Sequence, residues 1–281
     1  MHDDGAVKLE SSDGVTVALH DLGGSGEPLL ICHATGFLGR AYEPMAAELR
    51  PHVHVWALDF RAHGDSTPPA NGRFDWAGMT DDLEVAVDAI TDEPIALFGH
   101  SMGGGTAVLL EKRRPGRVKC AYLFEPIVLP QSFNMSPRDP GMASNARRRR
   151  AVFPSRADAF QRYATRPPLN ILRADALAAY VDHGFADQPD GTVRLKCDPE
   201  HEAATFDAAG KPTFDLLHAV EAPITVAIGA TDDGGGPASL GEGIVAELPN
   251  ARLERHPALS HFGPLQQPAL IAERTFNRLR E

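Results

Sequence analysis

Short apolar runs alternate with helix-like segments along the first half of the chain. Residues 28–32 and 94–98 are continuous apolar runs bounded by turn-forming residues, a pattern typical of buried strands. Residues 76–90 instead repeat apolar side chains at helical spacing, with acidic side chains opposite, which predicts an amphipathic helix. The other predicted core strands are residues 15–20, 53–58, 118–124, 222–228 and 251–256, and the other predicted core helices are residues 41–49, 104–114, 241–248 and 268–280. Strands separated by helices of this length indicate an α/β protein with a largely parallel sheet and right-handed crossovers.

This alternation stops midway along the chain and resumes near its C-terminal end. The intervening segment has no apolar run that resembles a buried strand, and it is rich in Pro, Arg, Ala and Asp. It contains helix-like pieces at residues 158–164 and 171–181. The sequence therefore predicts an α/β core formed by residues 1–127 and 218–281, with a helical cap or lid at residues 128–217.

The charge and composition of the chain restrict the classes of partner that it is expected to bind. The 281 residues carry a formal net charge of −11, which argues against nucleic acid or an acidic membrane surface, so a small-molecule substrate is the expected partner. Three cysteines form no disulfide framework and suit a reducing compartment. No apolar run is long enough to span a bilayer, and the acidic N-terminus lacks a signal-peptide pattern. We expect a cytoplasmic protein. The sequence is compatible with a homodimer and does not specify the oligomeric state.

A glycine-flanked serine stands at the turn between a predicted strand and the next helix. Residues 99–103 are Gly-His-Ser-Met-Gly. On a turn this tight the serine is pushed into strained backbone angles, and only small neighbours fit around it. The strain leaves the hydroxyl of Ser101 exposed above the sheet, beside N–H groups at a helix N-terminus. Because G-x-S-x-G alone is a weak motif, the rest of the chain decides whether Ser101 is a nucleophile.

A serine nucleophile needs a base, and the base needs a buried carboxylate that holds it in the right tautomer. Two loops that follow later strands offer these groups. One contains the adjacent Asp232 and Asp233, and the other contains His261, just before the closing helix. Because the carboxyl ends of parallel strands meet at one edge of a sheet, these groups are expected to lie near Ser101.

The sequence leaves the identity of the acid open. The motif order resembles that of the α/β-hydrolases, and in their acid loop the carboxylate typically comes three residues after a glycine, which implies Asp232 after Gly229 rather than Asp233. The same resemblance includes a rarer arrangement that takes the acid from the end of the strand that precedes the cap, where Glu125 stands.

Taken together, five blocks of sequence resemble those of the α/β-hydrolase superfamily, over essentially the whole chain. The blocks are residues 33–37, 59–66, 99–103, 229–232 and 260–268. The first resembles the H-G-x-x-G oxyanion loop and the second the D-x-R-G-x-G-x-S block, with Ala34 and Ala62 in place of the usual glycines. The chain is similar to capped, esterase- or lipase-like serine hydrolases. This resemblance implies a mostly parallel eight-stranded sheet flanked by helices, with a helical cap inserted after strand 6.

The resemblance also implies roles for individual residues. Ser101 would attack a carbonyl carbon, His261 would take and return the proton, and Asp232 would orient His261. The backbone N–H groups of Met102 and Thr35 would bind the oxyanion. Gly36, Phe37 and His100 are expected at the substrate, although a histidine in the position of His100 more often packs or braces a loop than acts as a base. His33 and His63 are expected to brace turns by hydrogen bonding.

Further features of the sequence bear on cofactors, on the charge of the substrate and on the lining of the cleft. No H-x-x-x-H spacing recurs and no G-x-G-x-x-G is present, so neither a metal nor a cofactor is expected. The four arginines at residues 147–150 could bind an anionic substrate if they faced the cleft, but such runs are usually solvated or paired with carboxylates. Cap side chains that could line either the cap's own core or the cleft are Phe153, Phe160, Tyr163, Ile171, Leu172 and Tyr180.

The favoured function is therefore a serine hydrolase that cleaves an ester or lactone of a small apolar molecule through an acyl-enzyme. The same triad also supports C–C bond hydrolysis, acyl transfer or cofactor-free perhydrolysis, and the same fold supports a ligand-binding protein without turnover.

Overall fold

A computed structural model describes residues 5–131, 141–230 and 236–281. Its main feature is an eight-stranded sheet in the order β1-β2-β4-β3-β5-β6-β10-β11. The strands are β1 (Val7–Glu10), β2 (Thr16–Gly23), β3 (Pro28–Cys32), β4 (His54–Asp59), β5 (Ile95–His100), β6 (Val118–Phe124), β10 (Ile224–Ile228) and β11 (Ala251–Arg255). From β4 to β11 every neighbouring pair is parallel, while β1 and β2 are antiparallel to their neighbours. The prediction of a mostly parallel eight-stranded sheet is confirmed.

Helices cover both faces of this sheet. Those of the core are α1 (Glu43–Leu49), α2 (Trp76–Ile90), α3 (Met102–Arg113), α8 (Gly241–Glu247), α9 (Gly263–Gln266) and α10 (Pro268–Leu279). The predicted bounds of α2 are those observed, and its start is set by Asp75, whose side chain accepts a hydrogen bond from the Gly78 N–H. The pattern did not predict β1, a short edge strand whose residues are mostly exposed.

Alternation along β3 shows how the sheet divides the core. Leu29 and Ile31 pack into the layer formed with α1 and α10, whereas Leu30 packs into the layer formed with α2, α3 and α8. Successive side chains of a strand point to opposite faces, so a continuous apolar run buries both faces at once. This is the physical reason why β3 and β5 could be identified as central strands from sequence.

The segment between β6 and β10 contains the predicted cap. It contains the helices α4 (Gly141–Arg147), α5 (Arg156–Thr165), α6 (Ala174–Gly184) and α7 (Pro199–Asp207). It also contains a small antiparallel sheet in the order β7-β9-β8, made of β7 (Val152–Phe153), β9 (Val193–Leu195) and β8 (Phe185–Asp187). The sequence pattern indicated helices in this segment and did not predict this small sheet. Strands of two or three residues are too short for any periodicity to appear in the sequence.

Polar contacts and ring packing hold the cap against the core. Lys196 of the cap bonds to Asp65 of the core, with 2.5 Å between Nζ and Oδ1. The ring of Tyr180 packs against Phe37, with ring centroids 5.2 Å apart. These contacts place the cap over the carboxyl ends of the sheet strands, where the predicted site residues lie.

Within the described residues, no helix is both long and apolar enough to cross a membrane. All three cysteines are buried and unpaired by disulfides. Burial raises the pKa of Cys32, so this residue remains a thiol, as expected for an inert packing residue.

Candidate active site

Ser101 occupies a strained turn between β5 and α3. Its backbone has φ 54° and ψ −112°, in the left-handed half of conformational space that non-glycine residues rarely adopt. A Cβ added to Gly103 would lie 2.2 Å from the carbonyl oxygen of Cys32, so only glycine lets α3 approach β3 this closely. The strained turn expected at this serine is therefore present, and Ser101 lines a cleft while only 8% of its surface is exposed.

His261 lies on the loop between β11 and α9, and Glu125 is its carboxylate partner. The Nδ1–H of His261 donates to Oε2 of Glu125 across 2.6 Å. The second carboxylate oxygen of Glu125, Oε1, accepts from the backbone N–H of Gly229 at 2.8 Å. With Nδ1 engaged in this way, the lone pair of His261 Nε2 is available as a base, and both His261 and Ser101 line the same cleft.

The backbone at the end of β6 aims Glu125 at His261. Glu125 has φ +46°, and its N–H donates to the carbonyl of Ala227 on the adjacent strand β10. Its side chain is only 2% exposed. A buried carboxylate is stable when its oxygens accept hydrogen bonds, and both oxygens of Glu125 do so.

Asp232 and Asp233, the acids favoured from sequence, lie outside the described residues, so their assignment stays a prediction. The carboxylate that the structure brings to His261 is the rarer alternative, Glu125. The signal for it was present in the sequence: an acidic residue directly after the strand that precedes the cap. The register of the later loop instead favours Asp232.

The predicted oxyanion loop stands opposite the N-terminus of α3. Within the described chain, neither the Thr35 N–H nor the Met102 N–H donates to a protein acceptor. The next amide is used differently, since the Gly36 N–H donates to Nε2 of His63 at 3.0 Å. Two unpaired N–H groups beside a serine at a helix N-terminus are suited to stabilising negative charge on a substrate oxygen.

His100 is part of a hydrogen-bonded chain behind the cleft. The Ala34 N–H donates to the Tyr42 hydroxyl, which donates to Nδ1 of His100 across 2.6 Å. The Nε2–H of His100 donates to the carbonyl of His261 at 2.7 Å. Burial, with a further contribution from His261, holds the pKa of His100 well below its ordinary value, so the ring is neutral.

This placement departs from the prediction that His100 contacts the substrate. Its side chain is fully buried, both ring nitrogens are occupied, and the ring does not line the cleft. The chain of bonds instead connects the oxyanion loop to the loop of His261. The other two residues predicted at the substrate, Gly36 and Phe37, do line the cleft.

His33 and His63 brace turns as expected. His33 accepts from the Phe60 N–H at Nε2 and donates from Nδ1 to the carbonyl of Ala34. His63 accepts from Gly36 and donates from Nδ1 to the carbonyl of Arg61. Burial lowers the pKa of His33 to about 3 and that of His63 to about 4, so both rings are neutral.

The cleft above Ser101 has a volume of about 540 Å³. The core supplies its reactive end, with Ser101, His261 and the oxyanion loop, and the cap supplies the opposite wall. Of the cap side chains singled out from sequence, Phe153, Tyr163 and Tyr180 line this cleft, whereas Phe160, Ile171 and Leu172 do not.

The arginine run divides between surface and cleft. Arg147 donates to Glu200 and Asp207, as expected of a paired surface residue. The next three arginines, residues 148–150, line the cleft together with Arg162 and Arg166. The alternative that these side chains face the substrate thus fits most of the run.

One acidic cluster lies away from the cleft. Ligand-type atoms of His20, Asp59 and Asp65 lie within 4.8 Å of one another. Asp59 accepts from His20 and from the Gly39 N–H, and Asp65 accepts from Lys196. Burial by itself would raise the pKa of Asp59, but the hydrogen bond from His20, the charges of His20 and His33 and the hydrogen bond from the Asp65 N–H together outweigh it and hold the pKa below its ordinary value. We assign this cluster a bracing role.

Comparison with known proteins identifies the fold family of this chain. Residues 27–268 match the family model described as alpha/beta hydrolase fold. The chain belongs to the α/β-hydrolase fold family. Among solved structures, this α/β-hydrolase is similar to the thioesterase domain from the curacin biosynthetic pathway (TM-score 0.78, 20% identity, covering 97% of this chain and 98% of that one). It is also similar to E-2-(acetamidomethylene)succinate hydrolase (TM-score 0.76, 17% identity, covering 98% and 100%).

Curated relatives of this α/β-hydrolase match over shorter segments. It is 34% identical over 99 residues to (E)-2-((N-methylformamido)methylene)succinate hydrolase of Acinetobacter baylyi, covering 34% of this chain and 36% of the relative. It is 31% identical over 106 residues to monoglyceride lipase of Homo sapiens, covering 36% and 35%. The matched segments therefore span well under half the length of these relatives.

Proposed function

We propose that this protein is a serine hydrolase that cleaves an ester or lactone of a small molecule through an acyl-enzyme. The observation that carries the proposal is the 2.6 Å hydrogen bond between His261 and the buried Glu125, in the same cleft as the strained Ser101. In this proposal Ser101 is the nucleophile, His261 is the general base and Glu125 is the acid of the triad.

Acylation begins with a proton transfer from the serine. Nε2 of His261 removes the proton from Oγ of Ser101 as that oxygen attacks the carbonyl carbon. The imidazole then carries a positive charge, which the carboxylate of Glu125 stabilises while it holds Nδ1–H in place. Deep burial of Glu125 strengthens this interaction, because little water is present to screen it.

The carbonyl oxygen becomes negatively charged in the tetrahedral intermediate. The unpaired N–H groups of Thr35 and Met102 are proposed to bind that oxyanion, each contributing about 3 kcal/mol of transition-state stabilisation. Collapse of the intermediate expels the alcohol, which takes its proton from His261. Water, activated by the same histidine, then attacks the acyl group and releases the acid and free Ser101.

Names of relatives lend support at the level of reaction class. Monoglyceride lipase is named for cleaving an ester, and the Acinetobacter enzyme is named as a hydrolase of a succinate derivative. A succinate derivative bears carboxylate groups, as does the class of substrate inferred in the next subsection.

Replacement of the nucleophile tests the proposal directly. Ser101→Ala should abolish hydrolysis of p-nitrophenyl esters and lactones, while the melting temperature stays close to that of the wild type because the alanine removes only one oxygen. A fluorophosphonate probe should label the wild type at Ser101 and leave the variant unlabelled. Full residual activity in the variant would refute the triad, and failure of the probe to label the wild type would favour a ligand-binding role.

A further inference from the structure

The geometry points to a carboxylate-binding subsite on the cap wall of the cleft, formed by Arg162 and Arg166 with help from Arg148. The substrate would be an ester that bears a carboxylate at the end remote from the scissile bond. This inference rests on the proposed function, because it names the substrate class of that same cleft. It replaces the expectation of an apolar substrate.

Charge on the cleft wall is the first observation. The described residues that line the cleft include five arginines and one glutamate, in a chain whose net charge is −11. The glutamate, Glu202, is engaged by Arg149 in an ion pair. Four positive charges therefore face a concave site without an acidic counterpart among its described lining residues. Such a cleft concentrates anions even when the whole molecule is acidic.

Arg149 is set apart from the other four by its contacts. It donates to Glu202 and, across 2.5 Å, to the hydroxyl of Tyr180. Burial lowers the pKa of Arg149, but Tyr180 and Glu202 outweigh that effect and hold it well above the ordinary value. The carboxylate of Glu202 lies so close to Gly36 that a Cβ there would approach it to 2.5 Å. We assign Arg149 to holding the cap against the oxyanion loop.

The cap arginines outside the cleft form ion pairs, and this distinguishes them from the arginines of the subsite. In the described part of the cap, every arginine away from the cleft pairs with a carboxylate: Arg147 with Glu200 and Asp207, Arg156 with Asp187, Arg173 with Asp175, and Arg194 with Asp198. Of the five that line the cleft, only Arg149 has an acidic partner within the described chain. The chain contains many carboxylates that could pair with arginines. Several guanidinium groups without an acidic partner on one wall of the cleft therefore indicate a site for an anionic ligand.

Arg162 and Arg166 are the most available members. They stand four residues apart at the C-terminal end of α5, both are exposed, and their guanidinium groups contact no acceptor in the ranges described. Like charges at this spacing repel each other, although the helix C-terminus tolerates cations. Among the residues that the structure describes, the side chain of Arg148 bonds to two neutral partners, Ser144 and Asn145. A bound carboxylate would relieve the repulsion and accept charge-assisted hydrogen bonds from the planar guanidinium groups.

Arg150 is less directly placed to bind a carboxylate. Its guanidinium lies over the ring of Phe153, 4.6 Å from the ring centroid, and its Nε donates to the carbonyl of Val152. The cap wall thus combines charged groups with apolar surface from Phe153, Tyr163 and Phe206, which suits a short carbon chain that ends in a carboxylate.

A matched pair of esters tests the subsite. We expect mono-4-nitrophenyl glutarate, which carries a carboxylate, to be hydrolysed with a kcat/KM at least about tenfold above that of neutral 4-nitrophenyl butyrate. In Arg162→Gln/Arg166→Gln this preference, the ratio of the two kcat/KM values, should fall by about tenfold or more, mainly through a higher KM for the glutarate ester. Arg173→Gln/Arg194→Gln removes the same charge from cap positions outside the cleft and should keep the preference.

Two outcomes would overturn the inference. One is a preference that the Arg162/Arg166 double variant leaves unchanged, and the other is equal or poorer hydrolysis of the glutarate ester by every form of the enzyme. Inorganic phosphate is assayed alongside glutarate as a competitive inhibitor. Stronger inhibition by phosphate that depends on these arginines would overturn the assignment to a carboxylate.

A calorimetric titration separates this inference from the proposed function. Glutarate should bind to the wild type and to Ser101→Ala, and binding should weaken by about tenfold in Arg162→Gln/Arg166→Gln. If the wild type hydrolyses neither ester but still binds glutarate through these arginines, the hydrolase proposal fails and the anion subsite stands. If both esters are cleaved and glutarate does not bind, the subsite fails and the hydrolase proposal stands.

Discussion

At the scale of single residues, the partner of His261 determines how the site would work. Glu125 is buried, accepts hydrogen bonds at both oxygens, and occupies a backbone conformation with positive φ. A glutamate in such a conformation costs on the order of 1–3 kcal/mol of conformational free energy, and such strain persists where the surrounding structure enforces it, commonly at functional sites. Here the strained backbone directs the carboxylate toward Nδ1 of His261.

Glu125→Gln should therefore lower kcat by about 10³- to 10⁴-fold, because an amide oxygen carries no charge to stabilise the imidazolium ion. Asp232→Asn and Asp233→Asn should retain activity within a few fold of the wild type. Steady-state kinetics on the same ester distinguishes the two assignments, with circular dichroism as a check of folding. A large loss in Asp232→Asn together with an active Glu125→Gln would return the acid to the later loop.

At the scale of elements, the turn from β5 into α3 depends on the absence of side chains. Gly103 lies against the carbonyl of Cys32, and Gly99 lies against Gly104, where a Cβ would come within 2.6 Å of the Gly104 Cα. The close approach of α3 to the sheet brings the N–H of Met102 beside Ser101. Glycine in a helix otherwise costs about 1 kcal/mol relative to alanine, so its presence here reflects packing.

Gly103→Ala tests that packing. The new Cβ would lie 2.2 Å from a backbone oxygen, so α3 must shift, and we expect a loss of roughly 1–3 kcal/mol in the free energy of unfolding despite the better helix propensity of alanine. Activity should fall as well, because the N–H of Met102 moves with α3. Gly236→Ala is the control: no atom of the described residues lies within 4 Å of its Cβ position, and its φ is −67°. Urea unfolding should find the control within about 0.5 kcal/mol of the wild type.

At the scale of the whole molecule, buried neutral histidines connect loops that are distant in sequence. His33, His63 and His100 each use both ring nitrogens, and together they join the oxyanion loop to β4, to the turn after it and to the loop of His261. Each ring must stay neutral to accept one of its hydrogen bonds. The stability of the molecule is therefore linked to pH.

Burial lowers the pKa of His63 from 6.5 to about 4 and that of His33 to about 3. The unfolded chain thus binds more protons below pH 6.5, so the stabilisation is fully present above that pH and is lost as the pH falls toward the folded-state values. Between pH 6 and 4, each histidine should lower the free energy of unfolding by at most about 1.4 kcal/mol per pH unit, and His63 by less as the pH nears its folded-state value of about 4. Urea titrations across this range measure the slope.

His63→Gln should remove one histidine's share of that slope. Wild-type protein titrated under the same conditions is the reference for that slope. A stability that does not depend on pH between 6 and 4 would contradict the buried neutral state of these rings.

Most of the core could be predicted from sequence because its signals are local. The apolar run of β3, the periodicity of α2 and the glycines around Ser101 act through neighbouring backbone and side-chain sterics. The short strands of the cap could not be predicted, because two or three residues show no period and their pairing joins Phe153 to Val193 across the cap. Similarly, His100 is adjacent to Ser101 in sequence, yet it points away from the cleft.

The sequence by itself determined the α/β core, the strained serine and the loop that carries the histidine, since each follows from residues close together in the chain. Only the tertiary structure decided that Glu125 meets His261, because 136 residues separate them and their contact depends on how β6, β10 and β11 align. The same holds for the arginines. Which of them pair with carboxylates and which face the cleft is set by the packing of the cap, and charge and spacing alone do not specify it.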